Sequence, residues 1–155
     1  MLRSNLLNSV DAYQLWVKFG LAIGIETLRK IYGQYWPRKT LPEELVWEWY
    51  DGKKLIGWTA LRHDLLEPII WVIIGVFPEH QNSEYSRQIF DKTVEKGFLI
   101  YPDVKWVFVC ISKKNKKYYC YMKGNTSRWE KVGEMDIPEP GYTLFGMEKD
   151  VFMSN

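Results

Sequence analysis

The stretch Ile74-Gly75-Val76-Phe77-Pro78-Glu79-His80-Gln81-Asn82-Ser83-Glu84-Tyr85-Ser86 decides the fold. It closes a run from Pro68 to Val76 that is nearly continuous in Ile, Val and Trp, as a central strand covered on both faces requires. Pro78 ends that strand and a short polar loop follows. From Asn82 to Tyr101 the residues Tyr85, Ile89, Phe90, Val94, Phe98 and Tyr101 then recur on one helical face. A strand, a short loop and a helix start in this order aim unpaired backbone N–H groups at one spot, with the positive end of a helix dipole behind them. Such a spot suits a phosphate group.

Working outward, Val46, Glu48 and Tyr50 alternate with Trp47 and Trp49, and Asp51-Gly52 supplies a tight hairpin before a returning strand at Leu55–Arg62. Upstream, Val10 to Tyr35 is helix-like. Leu15, Trp16, Phe19 and Ile23 recur at three- and four-residue steps, as do Ile25, Leu28, Ile31 and Tyr32. Gly20 and Gly24 divide this region into two helices, Asp11 or Ser9 is expected to cap the first, and Trp36-Pro37 ends the pattern. Downstream come a short strand at Trp106–Ser112, a basic and then aromatic helix within Lys113–Lys123, and strands at Trp129–Met135 and Tyr142–Met147. The order predicts one α+β domain spanning residues 1–155, built around a single mixed sheet.

Composition narrows the function. Lys and Arg total 21 against 19 Asp and Glu, a formal charge of +2, so the basic excess of a dedicated nucleic-acid binder is missing. The chain is 46% hydrophobic and 16% aromatic, which excludes disorder as its main state and supplies a large core. Two cysteines, Cys110 and Cys120, make no disulfide framework, and two His with two Cys show no paired zinc-ligand spacing. The longest apolar run, Ile69–Phe77, is too short to span a bilayer. These features point to a soluble protein of a reducing compartment, the cytoplasm.

The motif resembles that of the GCN5-related N-acetyltransferase superfamily, Val-x-Pro-x-x-(Arg/Gln)-x-x-Gly-x-(Gly/Ala). Val76, Pro78 and Gln81 stand at the matching positions. Ser9-Val10-Asp11-Ala12 resembles the opening of the family's first helix, and the Asp51–Gly57 hairpin lies at its usual distance upstream. Asn115 with Tyr121-Met122-Lys123-Gly124 resembles the family's Asn…Tyr-x-Lys-x-Gly helix, one residue short. The likeness runs from about Asp11 to Met147. It implies a splayed mixed sheet flanked by helices, with acetyl-coenzyme A wedged between two parting strands.

The resemblance also implies roles. A bulge in the fourth strand would free backbone groups of Ile74, Gly75 and Val76 for the pantetheine arm. The loop Gln81, Asn82, Ser83, Glu84, Tyr85 and Ser86 would hold the diphosphate, with Arg87 beside it. Tyr121 would protonate the leaving thiolate and Asn115 would touch the coenzyme or hold its helix. Lys113, Lys114, Lys116 and Lys117 could meet a further phosphate. The activity implied is acetyl transfer to a primary amine of a small molecule or peptide, with no membrane and no nucleic-acid partner; the sequence is compatible with a homodimer. Glu48, His63 and Glu67 are the candidate general bases, because a His or a desolvated Glu can titrate near neutral pH.

Glu84 and Ser86 stand where the family has small residues. Two like charges about 5 Å apart cost on the order of 3 kcal/mol at an effective dielectric of 20, roughly a hundredfold in affinity. Glu84 therefore motivates an alternative: a catalytically inactive binding or assembly module that keeps the fold and blocks the cofactor. The bland reading of His63-Asp64 and Glu67 is a polar turn, and that of the Tyr118, Tyr119 and Tyr121 run is a helix with its lysines in water.

Overall fold

Apolar spacing at three and four residues, broken by turn-forming Gly and Pro, produces the elements in order. In the computed structural model, which describes residues 1–64, 66–81, 84–124, 128–135 and 141–154, these are β1 (Leu2–Leu7), α1 (Ser9–Ile23), α2 (Ile25–Tyr32), β2 (Leu45–Asp51), β3 (Lys54–His63), β4 (Ile69–Val76), a 3-10 turn (Pro78–His80), α3 (Tyr85–Ile100), β5 (Trp106–Ser112), α4 (Lys116–Gly124), β6 (Glu130–Met135), β7 (Tyr142–Glu148) and α5 (Lys149–Met153). Among the described residues the strands form one seven-stranded sheet in the order β1-β2-β3-β4-β5-β7-β6. No helix among those residues is long and apolar enough to cross a membrane.

Asn8, rather than the expected Ser9 or Asp11, caps α1: its side chain accepts from the Asp11 N–H at 2.8 Å. Gly24, at φ 92°, separates α1 from α2. Gly20 stays inside α1, where Leu28 of α2 packs so closely that an added Cβ would lie 2.9 Å from its Cδ2. Strand β1 pairs with β2 from Leu2↔Asp51 to Leu7↔Val46 and was not evident from its mixed Leu, Arg, Ser and Asn sequence.

Alternation, broken in β3 where the β2–β3 register shifts beside Ile56, divides the central strands between two cores. Trp47, Trp49, Ile56, Leu61, Ile70, Val72 and Val76 turn toward α3, which contributes Ile89, Val94 and Phe98. Val46, Trp58 and Ala60 turn the other way, onto Ala12, Leu15, Trp16 and Phe19 of α1 and Leu28 of α2. A buried polar chain ties β2, β3 and α3 together. The Trp49 indole N–H donates to Thr59 Oγ1 at 2.8 Å, the two hydroxyls of Thr59 and Thr93 lie 2.6 Å apart, and Thr93 donates to the Ile89 carbonyl at 2.7 Å.

All strand pairs are antiparallel except β4 with β5. That parallel ladder is short. It joins Ile69, Ile70 and Trp71 to Trp106, Val107 and Phe108 and then stops, although β4 continues to Val76 and β5 to Ser112. The sheet is splayed between these two strands, toward their C-terminal ends, as the sequence resemblance led one to expect.

Candidate functional site

The register of β3 on β4 fixes what faces the splay. Phe77 donates its N–H to the Ile56 carbonyl at 2.9 Å, and Asp64 donates to the Ile69 carbonyl at 3.0 Å. Odd-numbered residues of β4 therefore turn their backbone polar groups to β3, and even-numbered ones turn theirs toward β5. Beyond Trp71 no strand among the described residues pairs with that second edge, so the N–H and C=O groups of Ile74 and Val76 open into the gap.

The fourth-strand bulge expected from the resemblance is not there. β3 and β4 pair without a shift from Gly57↔Val76 to His63↔Ile70. The exposed edge comes from the parting of β4 and β5 alone. Gly75 keeps its place for another reason. The Trp58 indole, opposite it in the register, lies 2.5 Å from where a Cβ would stand, so only glycine lets the ring lie flat on β4.

Two of the opened carbonyls are held by side chains from outside the sheet. The Tyr32 hydroxyl donates to the Ile74 carbonyl at 2.7 Å, and the Gln81 side-chain amide donates to that of Val76 at 3.1 Å. Tyr32 stands on the last turn of α2 among the rings of Phe19, Trp36 and Trp58, at centroid distances of 6.0, 5.1 and 5.5 Å. Burial, and after it the nearby phenol of Tyr118, pushes its pKa well above the usual tyrosine value. On the other side of the gap, the Tyr142 hydroxyl of β7 reaches the Ile31 carbonyl at 3.4 Å. The end of α2 thus touches both halves of the sheet where they part.

Below the gap, the 3-10 turn leads into α3. Glu84 is the residue before its first turn; its side chain is exposed and makes no capping hydrogen bond. The positive end of the α3 dipole lies here, which suits this end of the helix to an anion. Tyr85 fixes it in space, its hydroxyl donating to Asp51 Oδ2 at 2.7 Å in the β2–β3 turn. That bond is the largest of the influences holding the Asp51 carboxyl below its ordinary pKa. Ser86 is half-buried. Arg87 leans forward along the helix, 3.9 Å from Asp91. Asn82 and Ser83 lie outside the described residues.

Above the gap, Asn115 opens α4. Its N–H donates to the Ser112 carbonyl at 2.9 Å and its own carbonyl accepts from Tyr119 at 3.0 Å. Met122 is buried and Tyr119 packs edge-on against Phe145, so this face turns inward. Tyr121 is on the flank and 52% exposed. Tyr118, one turn earlier, is half-buried, a phenol that sequence reasoning left in the helix's aromatic run. Of the basic run, Lys113 is engaged at 3.1 Å by Glu134, which Lys131 also holds at 2.9 Å; Lys114, Lys116 and Lys117 are exposed.

The three candidate bases do not assemble. His63 pairs with Ile70 and stacks on Tyr101 at 4.2 Å, and Glu67 sits in the adjoining turn, where its N–H donates to Asp64. Six residues of strand separate Ile70 from Val76, about 20 Å. His63 and Glu67 therefore stand at the closed end of the splay. Glu48 is in the same row as Gly75, through Trp58, two strand spacings or about 10 Å away. It accepts from Asn5 at 3.2 Å and lines a shallow 280 Å³ groove with Asp11, Gln14, Lys18 and Tyr50.

No family model and no curated protein sequence matches this chain. Solved structures do. A chimera of the Vibrio cholerae spermidine N-acetyltransferase SpeG aligns over 99% of both chains at 14% identity with a TM-score of 0.72. The Vibrio cholerae enzyme solved with coenzyme A and spermine aligns over 98% of both, at 14% identity and 0.70. An aminoglycoside acetyltransferase solved with coenzyme A covers 100% of this chain and 99% of its own, at 14% identity and 0.70. The chain has the fold of the GCN5-related N-acetyltransferases, over its whole described length.

Proposed function

We propose that the chain is an acetyl-coenzyme A-dependent N-acetyltransferase acting on a primary amine. The observation that carries this reading is the β4–β5 ladder, which stops after three pairs and turns the backbone of Ile74 and Val76 into an open gap. The gap, the position of the α3 start below it and the amine-acetylating enzymes among the structural neighbours support the same assignment. We assign a pantetheine arm to the edge formed by Ile74 and Val76 (Gly75 turns its backbone to β3), and a diphosphate to Gln81, Glu84, Tyr85, Ser86 and Arg87, with Asn82 and Ser83 of the same loop outside the described residues.

Bound there, the coenzyme would supply a thioester open to attack by an unprotonated amine. The Ile74 N–H would be the donor toward charge developing on the thioester oxygen, and that of Val76, about 7 Å further along the strand, would hold the arm. Asn115 holds α4 in position, and Lys114 and Lys116 add positive charge near its start. For the proton donor to the departing sulfur we assign Tyr118, in the role the resemblance gave to Tyr121. Glu48, about 10 Å from Gly75, is the carboxylate for the acceptor side and would act through a chain of waters. The acceptor is a small-molecule or peptide amine.

A second reading has its own support. Glu84 sets a carboxylate beside the helix start, and Tyr32 and Gln81 occupy two carbonyls of the open edge. An inactive module with a blocked cofactor site would look this way. The two readings separate on the melting temperature with acetyl-coenzyme A and on thiol release with polyamine, aminoglycoside and peptide acceptors. Enzymatic function predicts a raised melting temperature and amine-dependent thiol release. No shift at millimolar coenzyme contradicts it, and a shift without turnover by any amine favours the module.

A further inference from the structure

We propose that Tyr32 is an internal stand-in for the cofactor's amide at Ile74, so that cofactor binding releases the last turn of α2 and couples the cofactor gap to the α1–α2 face of the sheet. The inference rests on the function proposed above and adds an order of events to it.

Three observations carry it. First, the Ile74 carbonyl faces away from β3 into the gap, and its partner there is a side chain from another layer, the Tyr32 hydroxyl at 2.7 Å. A carbonyl at an unpaired strand edge is the group an amide N–H would take, as a neighbouring strand does. One short bond from the sheet's own helix satisfies it instead. Second, α2 is a brief helix of eight residues with Leu28 as its buried residue, so its own packing is limited. The Tyr32–Ile74 bond and the 3.4 Å reach of Tyr142 to the Ile31 carbonyl join it to β4 on one side and β7 on the other. Third, Tyr32 is wedged among Phe19, Trp36 and Trp58, the rings that fill the α1–α2 face beside Gly75. An acceptor approaching the gap from that face meets these rings. When Tyr32 gives up Ile74, the ring moves, and the wall it belongs to moves with it.

The competing explanation is that Tyr32 merely satisfies a buried carbonyl and holds the fold together. The two separate on cofactor affinity. Tyr32→Phe keeps the ring and its packing and removes the competing donor. Isothermal titration with coenzyme A and with acetyl-coenzyme A should give dissociation constants about fivefold tighter for the variant than for the wild type, the equivalent of one neutral hydrogen bond no longer broken. Hydrogen exchange on the unaltered protein gives a second readout: amides within residues 28–33 should exchange faster once coenzyme A is added.

Equal or weaker binding by Tyr32→Phe, with the wild type binding, overturns the stand-in and leaves the proposed function intact. Slower exchange in residues 28–33 on adding coenzyme A overturns it as well. Failure of both proteins to bind coenzyme A at millimolar concentration overturns the proposed function and this inference together.

Discussion

Trp58 and Gly75 face each other across β3 and β4, with the indole 2.5 Å from the point a Cβ on Gly75 would occupy. This contact puts a flat aromatic wall directly behind the strand edge that borders the gap. It also leaves no room for growth. Gly75→Ala should destabilise the protein by about 1–3 kcal/mol, the usual cost of overpacking a tight core, read from chemical denaturation. A neutral result would mean that the Trp58 ring yields without cost in the unliganded protein.

The carboxylate of Glu84 is exposed at the start of α3, so solvent and salt screen the repulsion that an isolated pair of charges would feel. Replacing it by Gly should tighten coenzyme A binding by roughly tenfold at low ionic strength, less than the hundredfold of the unscreened case. The gain should shrink as salt is added. Unchanged affinity at low salt would place the diphosphate elsewhere.

Two phenols on α4 compete for the same chemical role. Tyr118 is half-buried, and Tyr121 is 52% exposed on the flank. Tyr118→Phe should lower kcat by about a hundredfold, in the range of general acid catalysis, with little change in KM, and Tyr121→Phe should leave kcat within about twofold. The reverse ranking would return the role to Tyr121.

Glu134 sets a pH dependence at the other end of α4's entry loop. Its carboxyl is held at about 2 against an ordinary 4.5, first by Lys131, then by Lys113. A depressed carboxylate contributes stability that is complete above its unfolded pKa and is lost as pH falls through the folded one. The window here runs from about 4.5 down to about 2. Both partners are roughly half exposed, so the contribution is small and weakens with salt. An NMR titration of the Glu134 carboxyl should show the depressed midpoint, and Lys113→Ala should move it upward. An unmoved midpoint in that variant would show that Lys113 does not hold it.

Much of this was legible in the chain, because the strongest signals are local. The continuous apolar run to Val76, the Pro78 stop and the helical repeat from Tyr85 locate β4 and α3 without reference to anything distant. The hairpin at Asp51-Gly52 is equally local. Strand β1 escaped because Arg3, Ser4 and Asn5 interrupt its apolar pattern; an edge strand needs little burial, and its pairing with β2 is what makes it a strand. The site was read less fully. His63 and Glu67 carry the chemistry of a base, but their distance from Val76 depends on the register of β3 on β4, which no local pattern encodes. Tyr32 was read as one apolar residue of a helix stripe. Its hydroxyl matters because the chain folds back 42 residues to bring Ile74 beneath it.

The most direct test of the central claim is an amide NMR titration of the wild-type protein with acetyl-coenzyme A, followed at Ile74, Val76 and residues 85–87. The account predicts saturable shifts at both strand positions and at the helix start. Unchanged Ile74 and Val76 amides at millimolar coenzyme, in a protein whose spectrum is otherwise well dispersed, would contradict it.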